Sequence, residues 1–206
     1  LNDFYKNPTK WLYDKILKIE KNSTEASIVD NVFIGIIYHE IIERLFTMIK
    51  TTTEYFLNTE EAIKEYLNFT FNEVEAVVNN FPESTNTTQN ISLLTKEFLL
   101  TQKKSIYQNF ANFLQGFLNF FTGYKIKSLE EKFLMKGETE EYYLEGIIDC
   151  ILISPEDKIT IIDFKTYKTP EKKTDLQIPL YIKLYENYLK ENNINTQVEQ
   201  ACFFSI

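Results

Sequence analysis

The sequence predicts an α+β fold in which a helical part comes first and a sheet follows. Up to residue 122 the apolar residues recur every three or four positions, as in helices, whereas after Gly123 they form shorter runs typical of strands. The chain has only 5 Gly and 5 Pro in 206 residues, so few breakers interrupt its elements. We therefore predict a single domain, 1–206, with a mainly helical part over 1–122 and a sheet with a helix over 123–206. Because residue 1 is Leu and the last residues resemble an unfinished strand, we expect a fragment of a longer protein.

Four helices are predicted in the first part. The apolar spacing favours helices over 2–20, 27–50, 62–78 and 92–121. The segment 79–90 is polar and rich in Asn and Thr, so it predicts a loop. The many aromatic residues of the last helix are expected to pack in the core.

Three strands and a further helix are predicted in the second part. The strands cover 125–135, 142–153 and 158–165, and the polar turns between them make neighbouring strands antiparallel. A helix capped by Thr174 or Asp175 then continues to Glu191, with Pro179 in its first turn. A last strand follows this helix, which gives a sheet flanked by helices.

The charge and the cysteine content exclude several classes of function. With 22 basic and 30 acidic residues the net charge is −8, which argues against a partner held by a global positive field. Two cysteines cannot form a disulfide framework or a four-thiolate metal site. No segment reaches the roughly 20 apolar residues of a membrane span and no signal peptide is visible, so we expect a cytoplasmic protein with no membrane partner.

The predicted hairpin over 142–165 brings charged residues together. If it is symmetric about position 156, Asp149 faces Asp163, and Lys165 lies on the same face two residues further on. Two opposed carboxylates repel unless a cation or a proton lies between them. A solvated salt bridge is the usual alternative, but isoleucines share this face and make uncompensated charge costly. The isoleucines are Ile147, Ile151 and Ile161, and the opposite face is predicted to be apolar, with Ile148, Cys150, Leu152, Ile162 and Phe164.

Three short motifs in this region resemble a known family. The residues Gly146 to Asp149, Asp163 to Lys165 and Gln177 to Tyr181 occur in the order and at the spacing found in the PD-(D/E)XK nuclease superfamily, in particular its RecB-type exonuclease domains. The resemblance implies a restriction-endonuclease-like core with a central mixed sheet. It also implies that Asp149 and Asp163 hold Mg²⁺ or Mn²⁺ and that Lys165 acts in catalysis.

The resemblance also assigns roles to residues that the pattern alone leaves open. His39 lies on the packed side of the second predicted helix, where a buried core histidine is the commoner outcome. The resemblance instead implies that His39 is a metal ligand, together with Asp149, Asp163 and the Phe164 carbonyl. The remaining assigned residues are Gln177 and Tyr181, which either form a buried pair or support the site beside DNA. Lys168 follows the strand that carries Asp163 and Lys165, and it is either solvated or, given the adjacent metal site, contacts phosphate.

These motifs lead to a prediction of function. We predict a metal-dependent deoxyribonuclease, an exonuclease in DNA repair or recombination, with DNA and either a helicase or other domains of the same protein as partners. A non-catalytic DNA-end-binding or scaffolding module is the alternative from another class, and a CRISPR-associated RecB-like nuclease is a second enzyme alternative. Many RecB-type relatives carry an iron–sulfur cluster on four cysteines, and the two cysteines here predict none.

Overall fold

The computed structural model describes residues 7–12, 31–84, 93–136, 143–166 and 176–206. Its helices are α1 (Pro8–Trp11), α2 (Asn31–Thr52), α3 (Glu60–Ser84), α4 (Leu93–Thr101), α5 (Lys103–Phe121) and α6 (Gln177–Glu191). Its strands are β1 (Lys125–Lys136), β2 (Tyr143–Ile153), β3 (Ile159–Lys165) and β4 (Val198–Ser205). The predicted α+β class, with a helical N-terminal half, is confirmed.

The helical half differs from the prediction in two places. Helix α3 continues to Ser84, so 79–84 is helical where the polar composition predicted a loop, because one polar turn does not end a helix. The single helix predicted over 92–121 is divided at Gln102 into α4 and α5. The predicted cap residues Thr174 and Asp175 lie outside the described residues, as does most of the predicted helix 2–20.

The four strands form one mixed sheet in the order β1-β2-β3-β4. Strands β1, β2 and β3 are successive antiparallel neighbours, whereas β4 pairs with β3 in parallel after the crossover through α6. The predicted register of the β2–β3 hairpin is confirmed, since Cys150 pairs with Ile162 and Ile153 with Ile159.

The sheet lies between two apolar cores. The larger core joins the helical half to one sheet face, which contributes Cys150, Leu152, Ile162 and Phe164 as predicted. Its centre is aromatic, and Phe113 and Phe117 of α5 contact Phe164 with ring centroids 5.7 and 6.1 Å apart. Most of the phenylalanines of α5 therefore pack in the core, as the sequence predicts, whereas Phe120 is exposed. The second core joins α6 to the opposite face through Ile151 and Ile161.

The prediction for Ile148 is wrong. It packs in the second core, beneath α6, and not with Cys150 in the first. The side-chain alternation changes phase here next to Glu130, which the register places opposite Asp149 and whose φ is 46°. A left-handed residue in a strand redirects the neighbouring side chains, and the strict alternation assumed from the sequence does not allow for it.

Among the helices of the described residues, none combines the length and the apolar character needed to cross a membrane.

Candidate active site

The candidate active site lies where the β2–β3 ladder ends, next to helix α2. Among the described residues the ladder runs from Ile153 to Cys150. At the next position the Asp149 carboxylate accepts a hydrogen bond from the backbone N–H of Phe164, at 2.7 Å. The side chain of Asp149 therefore satisfies a main-chain donor of β3, and this contact fixes the direction of its carboxylate.

Three side chains from separate elements meet beside this contact. One ligand atom from each of His39, Glu130 and Asp149 lies within 4.8 Å of the others. His39 Nδ1 is 3.6 Å from Glu130 Oε1 and 3.7 Å from Asp149 Oδ2. An imidazole and two carboxylates at this spacing form a group that can hold one divalent cation.

His39 uses its two ring nitrogens differently. Its Nε2 lies 3.2 Å from the carbonyl oxygen of Phe164, while Nδ1 faces the two acids. In the neutral tautomer with the proton on Nε2, that N–H donates to the carbonyl and the Nδ1 lone pair faces Asp149 and Glu130. This is the arrangement by which proteins orient a metal-binding histidine.

A second polar group lies alongside the first and is centred on Asp163. Asp163 is 1% exposed and pairs with the ammonium of Lys165. Gln177 Nε2 donates to Asp163 Oδ1 at 2.6 Å and lies 2.9 Å from the hydroxyl of Tyr181. Lys165 also donates to Gln177 Oε1 at 3.1 Å. The buried carboxylate therefore lies against the ammonium and the amide, as a buried charge requires.

The electrostatics link the two groups. Burial, together with the negative charge of Asp163, raises the pKa of Asp149 to about 7. Burial lowers the pKa of His39, but the neighbouring carboxylates of Glu130 and Asp149 outweigh it, so that the net effect is a raised pKa. Burial is also the main cause that raises the pKa of Tyr181 to about 12, so its hydroxyl is neutral at physiological pH. The site thus concentrates negative charge that a bound cation would neutralise.

Two glycines lie where elements of the site meet, and at Gly146 the approach leaves no room for a side chain. A Cβ at Gly146 of β2 would lie 2.9 Å from Leu184 Cδ1 and 3.1 Å from Tyr181 Cε1, so α6 packs where that side chain would be. A Cβ at Gly35 of α2 would lie 3.4 Å from Thr166 Oγ1, just beyond β3. The segment that approaches Gly146 closely is therefore α6.

Of the predicted site residues, the structure brings all but one into these two groups. The first group contains three of them in mutual contact: His39, Asp149 and the Phe164 main chain. The second group contains Asp163, Lys165, Gln177 and Tyr181. Lys168 lies outside the described residues.

Glu130 is the residue that sequence reasoning missed. The strand β1 carries Glu130 and Glu131 side by side, and period-two alternation cannot decide which of them faces the site. The register shift between Ile126 and Ser128 and the positive φ of Glu130 turn its carboxylate toward His39. Only a prediction of this register shift and of the positive φ would have identified Glu130, rather than Glu131, as the residue that faces the site.

A cleft of about 400 Å³ opens from the site over the β1–β2 ribbon. Its walls combine the acids of the site with one lysine and two apolar side chains: Glu130, Lys132, Glu145, Gly146, Ile147, Asp149 and Tyr181.

The comparison with protein families now gives the class of the protein. The model of the PD-(D/E)XK nuclease superfamily matches residues 1–205, so the chain belongs to that superfamily. Its sheet and flanking helices form the restriction-endonuclease-like core that the motifs implied. A search of the curated proteins finds no match to the chain.

The chemistry of the donor set fits a divalent cation. Members of the superfamily are nucleases that generally use divalent metals, and His39, Glu130 and Asp149 supply one nitrogen and carboxylate oxygens at a common point. Carboxylate oxygens are the preferred ligands of Mg²⁺ and Mn²⁺. Of the two cysteines in the sequence, Cys150 is buried in the larger core and Cys202 packs against it.

Proposed function

We propose that the chain is a divalent-metal-dependent deoxyribonuclease of the RecB type. The observation that carries the proposal is the meeting of His39, Glu130 and Asp149 next to the buried Asp163–Lys165 pair, in a chain of the nuclease superfamily. A role in catalysis accounts for this concentration of buried charge better than stability does, since a buried ion pair is weak support for a fold.

The cation would be Mg²⁺ or Mn²⁺. His39, Glu130 and Asp149 would hold it, with Asp163 as a further ligand predicted from the motifs. The Phe164 carbonyl, which the motifs also predicted as a ligand, instead faces the Nε2 side of His39, away from the two acids. When bound, a divalent cation supplies a nucleophilic water at neutral pH and neutralises charge on the phosphate that is attacked. The hydrogen bond from the Phe164 N–H keeps Asp149 in place, and the Phe164 carbonyl does the same for His39.

Lys165 is proposed to stabilise the negative charge that develops on the phosphate. Its side chain is 19% exposed, and its ammonium contacts Asp163 and Gln177 at the base of the site. Gln177 contacts both partners of the ion pair and the Tyr181 hydroxyl, so we infer that it holds the lysine and the aspartate in register. Preorganised charge of this kind contributes more to the transition state than to the ground state.

The substrate, the mode of cleavage and the partners are inferred from the motifs. The order Gly146 to Asp149, Asp163 to Lys165 and Gln177 to Tyr181 supports a RecB-type exonuclease that acts on DNA ends in repair or recombination. A helicase is the proposed partner. A chain with a net charge of −8 approaches a polyanion only through local lysines and its cation, so Lys168, three residues after Lys165 in the sequence, is a proposed phosphate contact.

The test compares end-labelled linear DNA with circular DNA of the same sequence, in Mg²⁺, in Mn²⁺ and in chelator. We expect metal-dependent release of short products from the linear DNA, absent in Asp149→Asn and in Lys165→Ala. Lys158→Ala is the matched control, because Lys158 forms an exposed ion pair with Glu199 at the other end of the hairpin.

Cleavage that continues in chelator, or that survives Asp149→Asn, would contradict the proposal. Cleavage of the circular DNA at the same rate would exclude the exonuclease mode, but it would still support nuclease activity. Metal-dependent binding to DNA ends without any cleavage would instead support the non-catalytic DNA-end-binding module.

A further inference from the structure

Lys165 has a third neighbour that belongs to none of the predicted motifs. Its ammonium nitrogen lies over the ring of Phe203, 5.3 Å from the ring centroid. This distance is within the range in which a lysine is attracted by the negative face of an aromatic ring. The ring therefore adds a contact to those that Asp163 and Gln177 make with the same ammonium.

The parallel pairing of β3 with β4 places Phe203 at this position. Phe203 pairs with Asp163 in the register, and Lys165 pairs with Ser205 two residues further on. Phe203 is half-buried, whereas its neighbour Phe204 packs on the other side of the sheet against Phe113 and Phe117. Within the described residues, Phe203 is a member of neither apolar core, so core packing gives no account of an aromatic residue here.

The three neighbours act on the ammonium in different ways. Asp163 and Gln177 accept its N–H groups through oxygen atoms, and a carboxylate also offsets its positive charge. The ring of Phe203 attracts the cation without accepting a directed N–H bond and without carrying a charge. A cation held by the Asp163 carboxylate would compete with the ion pair, whereas the neutral ring of Phe203 would offer the ammonium a contact that does not depend on that carboxylate.

We propose that Phe203 is a positioning residue for Lys165, which keeps the ammonium in place while leaving its positive charge and one N–H available to a phosphate. The kinetic part of this inference rests on the proposed nuclease function. The contact itself does not, because it concerns two side chains of the resting protein.

The first test is NMR of the whole chain labelled with ¹³C and ¹⁵N lysine. The signals of Lys165 are identified by their loss in Lys165→Arg. Protons held over a ring face are shifted upfield, so we expect the terminal methylene protons of Lys165 upfield of the other lysine signals. Phe203→Leu should return them to the ordinary position, and Phe204→Leu, the control on the same strand, should leave them unmoved.

The second test is the single-turnover rate of DNA cleavage. Loss of one cation–π contact at a partly buried site predicts a fall of about 5- to 30-fold in Phe203→Leu. The apparent Kd for DNA should change less than about twofold, since the lysine acts on the transition state. Phe203→Tyr, which keeps the ring face, should recover most of the rate.

Lys165 signals at the ordinary lysine position in the parent protein would overturn the proposal, and this result does not depend on the folding of Phe203→Leu. An unchanged cleavage rate in a folded Phe203→Leu protein would also overturn it. If the parent cleaves no DNA at all, the proposed function fails, while the NMR measurement still decides whether Phe203 holds the lysine.

Discussion

Replacing Asp149 with Asn should stabilise the metal-free protein above neutral pH. Burial and the charge of Asp163 raise the pKa of Asp149 from 3.8 to about 7, so its carboxylate ionises more easily in the unfolded chain than in the folded one. The folded state therefore binds more protons between pH 4 and pH 7, and its stability falls as the pH rises through that window. Asn retains an oxygen that can accept the hydrogen bond from the Phe164 N–H.

The magnitude follows from the difference between the two pKa values. Each pKa unit corresponds to about 1.4 kcal/mol, so a rise from 3.8 to about 7 sets a ceiling of about 4 kcal/mol above pH 7. Movement of the charged side chain toward water lowers this ceiling, and we expect Asp149→Asn to gain about 1–3 kcal/mol at pH 8. The gain should shrink steadily as the pH falls toward 5.

Urea denaturation in chelator at several pH values between 5 and 8 measures this difference. Asp157→Asn, in the exposed β2–β3 turn, is the matched control and should show no such trend. Adding Mn²⁺ should reverse the order, because the cation stabilises the parent and not the variant. A variant that is less stable than the parent at pH 8 in chelator would refute the reasoning, as would a difference that is constant across the pH range.

Further predictions concern the chemistry, the packing and the binding of DNA. Lys165→Ala should reduce the cleavage rate by at least about 100-fold while calorimetry shows Mn²⁺ binding within about threefold of the parent, because the lysine acts on charge in the transition state. Loss of Mn²⁺ binding in that variant would place the lysine in the structure of the site. Glu130→Gln should weaken Mn²⁺ binding by about 10- to 100-fold in the same titration, and unchanged binding would remove Glu130 from the ligand set. Gly146→Ala should cost about 1–3 kcal/mol in urea denaturation, because its Cβ would press on Leu184 and Tyr181 of α6. A neutral effect would mean that α6 is free to move away from the sheet. DNA affinity should fall with salt along a shallow line, at a slope of about −0.9 for each phosphate contacted on duplex DNA, and a steep line would indicate a large basic footprint.

The sequence is sufficient to predict the register of the β2–β3 hairpin, but it is not sufficient to predict that of the neighbouring β1–β2 pair. The turn Ser154 to Asp157 is short, and Ser154 donates its N–H to the Lys158 carbonyl at 2.8 Å, so the turn itself sets the β2–β3 register. That register is what allows Asp149, Asp163 and Lys165 to be predicted as neighbours. The β1–β2 pair contains a register shift and a left-handed Glu130, which depend on tertiary packing and have no short-range signal.

The same distinction between local and tertiary information applies to the helices and to the lysine. Helical periodicity predicts that α2 has an apolar side, but it cannot decide between core packing and a ligand role for His39, and only the motif resemblance raised that question. Phe203 has no motif at all, since its place over Lys165 follows from a parallel register that is set by the crossover through α6.

The contact between His39 and Phe164 joins residues that are 125 positions apart in the chain. The β1–β2–β3 ribbon is assembled from neighbouring segments, whereas this contact must wait until the helical half has docked onto the sheet, because loop closure grows more costly with separation. We therefore expect the acids of the hairpin to come together early in folding and the histidine to join them late. A partly folded chain would hold carboxylates without the imidazole, so the onset of tight metal binding during refolding marks the moment at which the two halves have joined.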